Sequence, residues 1–174
     1  MLKAIFTPVE IENLLKQKVA EIENEIIDRL IFIGETFVNN ARNKTFDQNY
    51  IDAINSLAYA KGERRAIIEE ATPGFKDHTQ NLRSSIGYLI LKNGEPVFNA
   101  FEGGSPEGKA IGLRIATEAS KKFGHTKGIV LIVVAGMSYS SYVESKGYDV
   151  ITGSSIIAEN DLRKAIKEME KKFR

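Results

Sequence analysis

Ile86-Gly87-Tyr88-Leu89-Ile90-Leu91-Lys92-Asn93-Gly94-Glu95-Pro96-Val97-Phe98-Asn99-Ala100-Phe101 decides the fold. An Asn-Gly pair between two apolar runs is the strongest short-range hairpin signal, because both central residues of a tight hairpin turn need positive φ. The segment therefore predicts two antiparallel strands, Ile86 to Leu91 and Val97 to Phe101, joined at Asn93-Gly94. Pro96 opens the second strand and has no N–H to donate, which places that strand at an edge of the sheet.

Downstream, Ala110 to Phe123 carries a helical apolar pattern that ends at Gly124. Ile129 to Ala135 is a continuous apolar, β-branched run and reads as a buried strand. Tyr139 to Ser145 suits a short helix, Tyr148 to Ile151 a last strand, and Ala158 to Phe173 a terminal amphipathic helix with Leu162, Ile166, Met169 and Phe173 on one side. Its lysine-rich opposite face is the ordinary pattern of a solvated surface.

Upstream, Thr7-Pro8-Val9-Glu10 is a helix start, with Thr7 as cap, Pro8 in the first turn and Glu10 completing a capping box. Ile11, Leu15, Val19, Ile22, Ile26, Leu30, Ile33, Phe37 and Ala41 then follow at spacings of four, four and three. This eleven-residue period keeps the stripe nearly straight. A helix from Glu10 to Arg42 is about 50 Å long, whereas a globule of this size is roughly 40 Å across, so one end should overhang. The second half, with Ile27, Ile31, Phe32 and Val38 added, belongs in the chain's own core. The first half, flanked by Glu12, Lys16, Lys18, Glu21 and Glu23, is expected to pack on a neighbouring copy. Between Asn43 and Pro73 apolar residues are few. Short helices over Tyr50 to Tyr59 and Glu63 to Glu70, broken at Lys61-Gly62, make this an excursion from the core.

The expected fold class is therefore α+β: a long N-terminal helix (about 8–42) plus a small, mainly antiparallel sheet packed against helices. One domain is expected over 1–174, with the excursion at about 43–74 and the sheet-and-helix core at about 75–174.

The 174 residues are 43% hydrophobic, with 24 Lys and Arg against 23 Asp and Glu. A net charge of +1 supplies no global field to grip nucleic acid. The absence of cysteine removes disulfides, thiolate metal sites and a cysteine nucleophile. The N-terminus does not read as a signal peptide, and no apolar run is long enough to span a bilayer, so synthesis in the cytoplasm is expected.

Gly103-Gly104-Ser105-Pro106-Glu107-Gly108-Lys109-Ala110 fits G-x-x-x-x-G-K between a strand and a helix, which raises a small nucleotide-binding enzyme as an alternative of a different class. Against it, Ala110 offers no oxygen to magnesium, Pro106 removes a donor and Glu107 puts a carboxylate beside the supposed anion. The plainer reading is a flexible glycine-rich connector. His78 and His125 lie in different loops without metal-ligand spacing, and Asp77-His78 near Ser84-Ser85 lacks a nucleophile elbow. Asp77 or Thr79 is better read as capping a short turn through Asn81-Leu82-Arg83. No catalytic residue, metal or cofactor is expected.

Phe75-Lys76-Asp77-His78-Thr79-Gln80-Asn81-Leu82-Arg83-Ser84-Ser85-Ile86 resembles a segment of tail-component proteins of long-tailed bacteriophages, in which Asp-Thr-Gly-Asn-Leu-Arg is followed by Ser-Ile. Val134 to Gly147, with Tyr139, Tyr142-Val143-Glu144 and Gly147, resembles the same family's later segment, in the same order. The likeness covers roughly Phe75 to Thr152 and the leading helix. The chain departs from the pattern at Gln80, where the family has glycine, and at the extra His78. The resemblance implies a structural virion protein, a tail-completion or tail-terminator component that forms a ring of its own copies, a hexamer, at the head-proximal tail end. A head-closure or adaptor protein is the alternative within this class. The implied partners are adjoining tail-tube or connector proteins, with DNA passing through the ring without specific binding and no membrane involved. The implied location is the virion at the head-tail junction, reached from the host cytoplasm.

Within such a part, Ile11, Leu15, Val19, Ile22, Pro96 and Phe98 are the expected subunit interface. Asp77, Thr79, Asn81, Leu82, Arg83, Ser85, Tyr139, Tyr142, Val143, Glu144 and Gly147 are the expected structural motif. Arg83 and Glu144 are each expected to form an ion pair or cap, with one another as one option. Tyr142 and Val143 are expected to bury beneath the hairpin, with Glu144 and Lys146 facing out.

Overall fold

The first helix, α1 (Pro8–Arg42), starts where its capping signal lies. Thr7 and Glu10 exchange hydrogen bonds: the Thr7 N–H and Oγ1 donate to Glu10 Oε2 at 2.7 and 2.8 Å, and the Glu10 N–H donates to Thr7 Oγ1 at 3.3 Å. These backbone donors have no partner inside the helix, so the box fixes its first turn. The structure is a computed structural model and describes residues 7–42, 75, 77 and 79–173. The helices expected between Asn43 and Pro73 lie outside the described residues, as does His78.

After α1 come α2 (Asn81–Ser85), β1 (Ile86–Lys92), β2 (Glu95–Ala100), α3 (Pro106–Ser120) with a 3₁₀ turn over Lys121–Phe123, β3 (Ile129–Ala135), α4 (Ser140–Ser145) and α5 (Thr152–Lys172). The sheet order is β2-β1-β3 and both pairings are antiparallel. Asn93 and Gly94 both take positive φ, 54° and 86°, as a type I′ turn requires. Pro96 pairs opposite Leu91 on the edge strand, and the register then slips by one residue so that Phe98 pairs with Ile90. A proline and a bulge at the start of an edge strand both discourage pairing along it.

The central strand β1 is buried along nearly its whole length because the sheet is covered on both faces. Ile86, Tyr88 and Ile90 point into a core with Leu30, Ile33 and Phe37 of α1, together with Val150, Ala158 and Ala165. Leu89 and Leu91 point the other way, to Ile132, Val134 and Ala116. The fold is thus α+β in three layers: α1 with α5, the sheet, then α3.

Helix α1 closes on the sheet at Gly34, where a Cβ would lie 2.7 Å from the Tyr88 ring. Tyr88 is wholly buried and its phenol donates to Glu35 Oε1 at 2.8 Å. Burial, together with this carboxylate, pushes the Tyr88 phenol well above the usual tyrosine range. At the far end of α1, Arg42 donates to the carbonyls of Arg83 (2.9 Å) and Ile86 (2.6 Å), which ties the helix to the start of β1.

Three expectations about local structure change. Tyr148 to Ile151 is a bent segment rather than a strand: Val150 is buried in the α1-side core, and the Ile151 N–H is taken by Glu144 instead of a ladder partner. Helix α5 begins at Thr152, six residues before Ala158, because Asp149 Oδ1 accepts the Gly153 N–H at 3.0 Å and Ser154 is small enough to bury. Helix α3 begins at Pro106 rather than Ala110, and the supposed flexible connector is its capped start: Ser105 Oγ accepts the Gly108 N–H at 3.1 Å. Ser105-Pro106 is the same cap-and-proline signal as Thr7-Pro8, so this start could have been found in the sequence.

Gly34→Ala tests the helix-sheet contact. In an exposed helix interior the change stabilises by about 1 kcal/mol. Here it should destabilise by about 1–3 kcal/mol, because the methyl group must displace the Tyr88 ring, and thermal or denaturant unfolding reads the sign directly.

Candidate functional site

Residues 8–20 of α1 are all exposed, and burial in the core begins at Leu30. Val9, Ile11, Leu14, Leu15 and Val19 are thereby bare, Leu15 at 62% of its full accessible area. The eleven-residue stripe runs through both halves, but only its second half meets the sheet. The expected overhang is present, and Ile22 sits half-buried where it meets the body. Phe32 departs from expectation: it is 70% exposed, on the side of α1 turned away from the core that its sequence neighbours fill.

Beside the emerging stripe lie two adjoining apolar hollows of about 270 and 450 Å³. They share Ile26 and Leu30 of α1 and Leu162 and Ile166 of α5 as lining. The smaller extends along α5 to Met169 and Phe173, and the larger reaches β3 at Ile129 to Val133. The two adjoin at these four residues and together make a shallow trough between α1, α5 and β3. Helix α5 is held at its outer side by Lys172 to Glu25 (2.7 Å) and Arg29 to Glu168 (3.5 Å). Both pairs are largely exposed, so they contribute little stability and mainly fix the position of α5.

At the sheet edge, β2 is exposed on both faces. Phe98 is partly covered by stacking on Tyr88 with centroids 5.9 Å apart, and Pro96 is exposed at the start of the strand.

The segments around Asp77–Ser85 and Val134–Gly147 meet in space. Asp77 Oδ2 accepts the Arg83 N–H at 2.7 Å and Thr79 Oγ1 accepts the Asn81 N–H at 3.3 Å, so both cap α2 as expected. Asn81 binds Ser105 Oγ and donates to Glu107 at 3.2 Å, linking α2 to the start of α3. Leu82 is buried in the core. Ser85 joins the blocks: its carbonyl accepts the Gly136 N–H at 3.1 Å and its Oγ accepts the Met137 N–H at 3.3 Å. Tyr139 sits beside Asp77 and Thr79, and burial, with the Asp77 carboxylate, pushes its phenol up.

Arg83 and Glu144 do not pair with one another. The Arg83 guanidinium lies 5.4 Å over the Phe75 ring and donates to the Phe75 carbonyl at 3.4 Å. Glu144 turns inward, against expectation, and Oε1 accepts from the Ile151 N–H, the Thr152 N–H and the Thr152 hydroxyl, each at 2.9 Å. It therefore caps α5 and orients the helix that walls the trough. Val143 packs against the core, but Tyr142 is 62% exposed, with Lys146 over its ring at 5.3 Å. Gly147 takes φ +86° as the chain turns out of α4. The residue types are legible in the sequence, but the partners are not: Glu144 and Arg83 each turn to backbone groups seven or eight residues away, a choice that depends on how the chain bends between them.

Gln80 holds φ 58° directly before α2. A left-handed conformation costs a non-glycine residue roughly 1–2 kcal/mol, less the extra chain entropy a glycine gives up. Gln80→Gly should therefore stabilise the fold by about 0.5–1 kcal/mol, read as a raised melting temperature.

Burial alone would raise the Glu144 carboxyl, but its hydrogen bonds to Ile151 and Thr152 outweigh that and hold it below the usual range. A depressed folded pKa contributes stability above the unfolded carboxylate value, near 4.3, and that stability is lost as pH falls through the folded value. Glu144→Gln should lower stability at neutral pH by about 1 kcal/mol, and its gap from the wild type should narrow below about pH 4.

Comparisons with protein-family models, with curated proteins and with solved structures gave no match to this chain.

Proposed function

We propose that this chain is a non-enzymatic structural component of a tailed-phage particle, a tail-completion or tail-terminator protein that acts as a homo-oligomeric ring at the head-proximal end of the tail. The observation that carries the reading is the overhang: the N-terminal part of a 35-residue helix, Pro8 to Glu21, is exposed throughout with its apolar stripe in water. Exposed apolar surface of that length and order is a mark of association. The likeness of the Asp77–Ser85 and Tyr139–Gly147 segments to tail-component proteins supplies the setting. No described helix is long and apolar enough to cross a membrane, and the near-neutral charge suits a part that DNA passes without being gripped. Assembly is then the function, with the overhang as its main contact and the exposed β2 edge at Pro96 and Phe98 as a second surface.

Light scattering across a range of concentrations tests this. The wild type should form a concentration-dependent oligomer, and the variant with Ile11, Leu15 and Val19 all changed to Ser should associate at least about a hundredfold more weakly. Half-burying each of the three side chains is worth roughly 1 kcal/mol. Because all three are exposed, the melting temperature of the dilute protein should hardly move. A wild type that stays monomeric at every concentration, with a variant that behaves identically, would sink the proposal.

A further inference from the structure

The net charge of +1 conceals an uneven distribution. On α1 every lysine and arginine is answered: Lys16 and Lys18 by Glu12 and Glu21, Arg29 by Glu168, and Arg42 by two carbonyls. Lys92, Arg114, Arg163, Lys164 and Lys172 likewise each meet a carboxylate. The loop between α3 and β3 differs. Lys121, Lys122 and Lys127, with His125 among them, are all exposed, and none forms an ion pair among the described residues. From Lys121 to Lys127 there is no acid at all. On α5, Lys167 and Lys171 also stand outside these pairs, but Glu168 and Glu170 lie beside them in the chain.

The loop is a fixed mount. Phe123 packs against the Leu89 and Leu91 side of the core, and the Thr126 N–H donates to the Phe123 carbonyl at 2.9 Å. At the hairpin turn, the Asn93 N–H donates to the Gly128 carbonyl at 2.7 Å and the Gly128 N–H to Asn93 Oδ1 at 2.9 Å. Gly94 lies so near Gly124 that a Cβ there would come within 2.5 Å of its carbonyl oxygen. The three ammonium groups therefore project from a backbone that the hairpin holds in place.

We propose that this loop, braced by the hairpin turn, is a docking surface for the phosphate backbone of duplex DNA. Lysines with no acid among them attract a dense run of negative charge, and duplex DNA carries one charge per about 1.7 Å of its axis. The loop has no arginine, and its one aromatic ring is turned to the core, so it can hold phosphates but can neither read base edges nor stack single-stranded bases. A second copy of this chain fits the surface less well. The glutamates toward the tip of α1 are already engaged, Glu10 by Thr7 and Glu12 and Glu21 by lysines of their own helix. Three phosphate contacts hold DNA loosely and without regard to sequence. One copy suffices for the contact, so it does not depend on assembly.

Fluorescence anisotropy with a labelled duplex of mixed sequence tests this. Three contacts give a slope of log affinity against log salt of about −2.7, so affinity should fall about 40-fold between about 50 and 200 mM salt. Changing Lys121, Lys122 and Lys127 together to Gln should abolish binding, and each single change should make the slope shallower by about 1. Changing Lys164, Lys167 and Lys171 to Gln removes the same charge from α5 and should leave the slope unchanged. All six side chains are exposed, so both triple variants should melt with the wild type. Absence of binding at low salt, or a loss no greater in the loop variant than in the α5 variant, would overturn the loop as the site. Polyglutamate bound as tightly as DNA would overturn the phosphate assignment in favour of an acidic protein surface.

Discussion

The burial of β1 on both faces is the constraint on which the rest of the structure depends. A strand whose alternate residues both need cover demands a helix on each side. Tyr88 and Ile90 take α1, and Leu89 and Leu91 take α3. The α1 side is set to within a methyl group, because Gly34 lets the helix backbone reach the Tyr88 ring. That contact fixes where along its length α1 is gripped, and so how much of the helix is left over. The overhang is the remainder when a helix of about 50 Å is held at its second half.

One stripe therefore has two fates. From Leu30 onward it is core, and from Ile11 to Val19 it is bare surface. The trough lies where the two regimes meet, walled by an α5 whose start is set by the Glu144 carboxylate and whose end is pinned at Glu25. The described residues around Asp77 and Tyr139 serve the framework in this arrangement. Their hydrogen bonds lock α2 to β3 and place α4 so that Glu144 can reach α5.

Much of the fold was legible because its signals are short. The Thr7-Pro8-Val9-Glu10 box, the Asn93-Gly94 turn and the cap at Asp77 each act within a few residues, and each forms as the sequence indicates. Misreadings arose where the deciding partner is distant. Tyr148 to Ile151 has strand-like residues but no neighbouring strand to pair with, so Val150 buries from a bend. The pair Tyr142-Val143 reads as two buried residues, yet one turn of helix can turn only one of them inward.

The elements were legible residue by residue: the capped long helix, its eleven-residue stripe, the hairpin and its proline-marked edge. All of these are written in local periodicity and turn chemistry. The tertiary structure alone decided which half of the stripe became core, that Glu144 serves as a cap rather than a surface charge, and that α1, α5 and β3 leave a trough beside the exposed half. Which half of the stripe became core depends on how closely helix and sheet can approach, a distance set where Gly34 meets the Tyr88 ring, and the Glu144 cap depends on the bend that brings Ile151 and Thr152 back to it; no local pattern contains either.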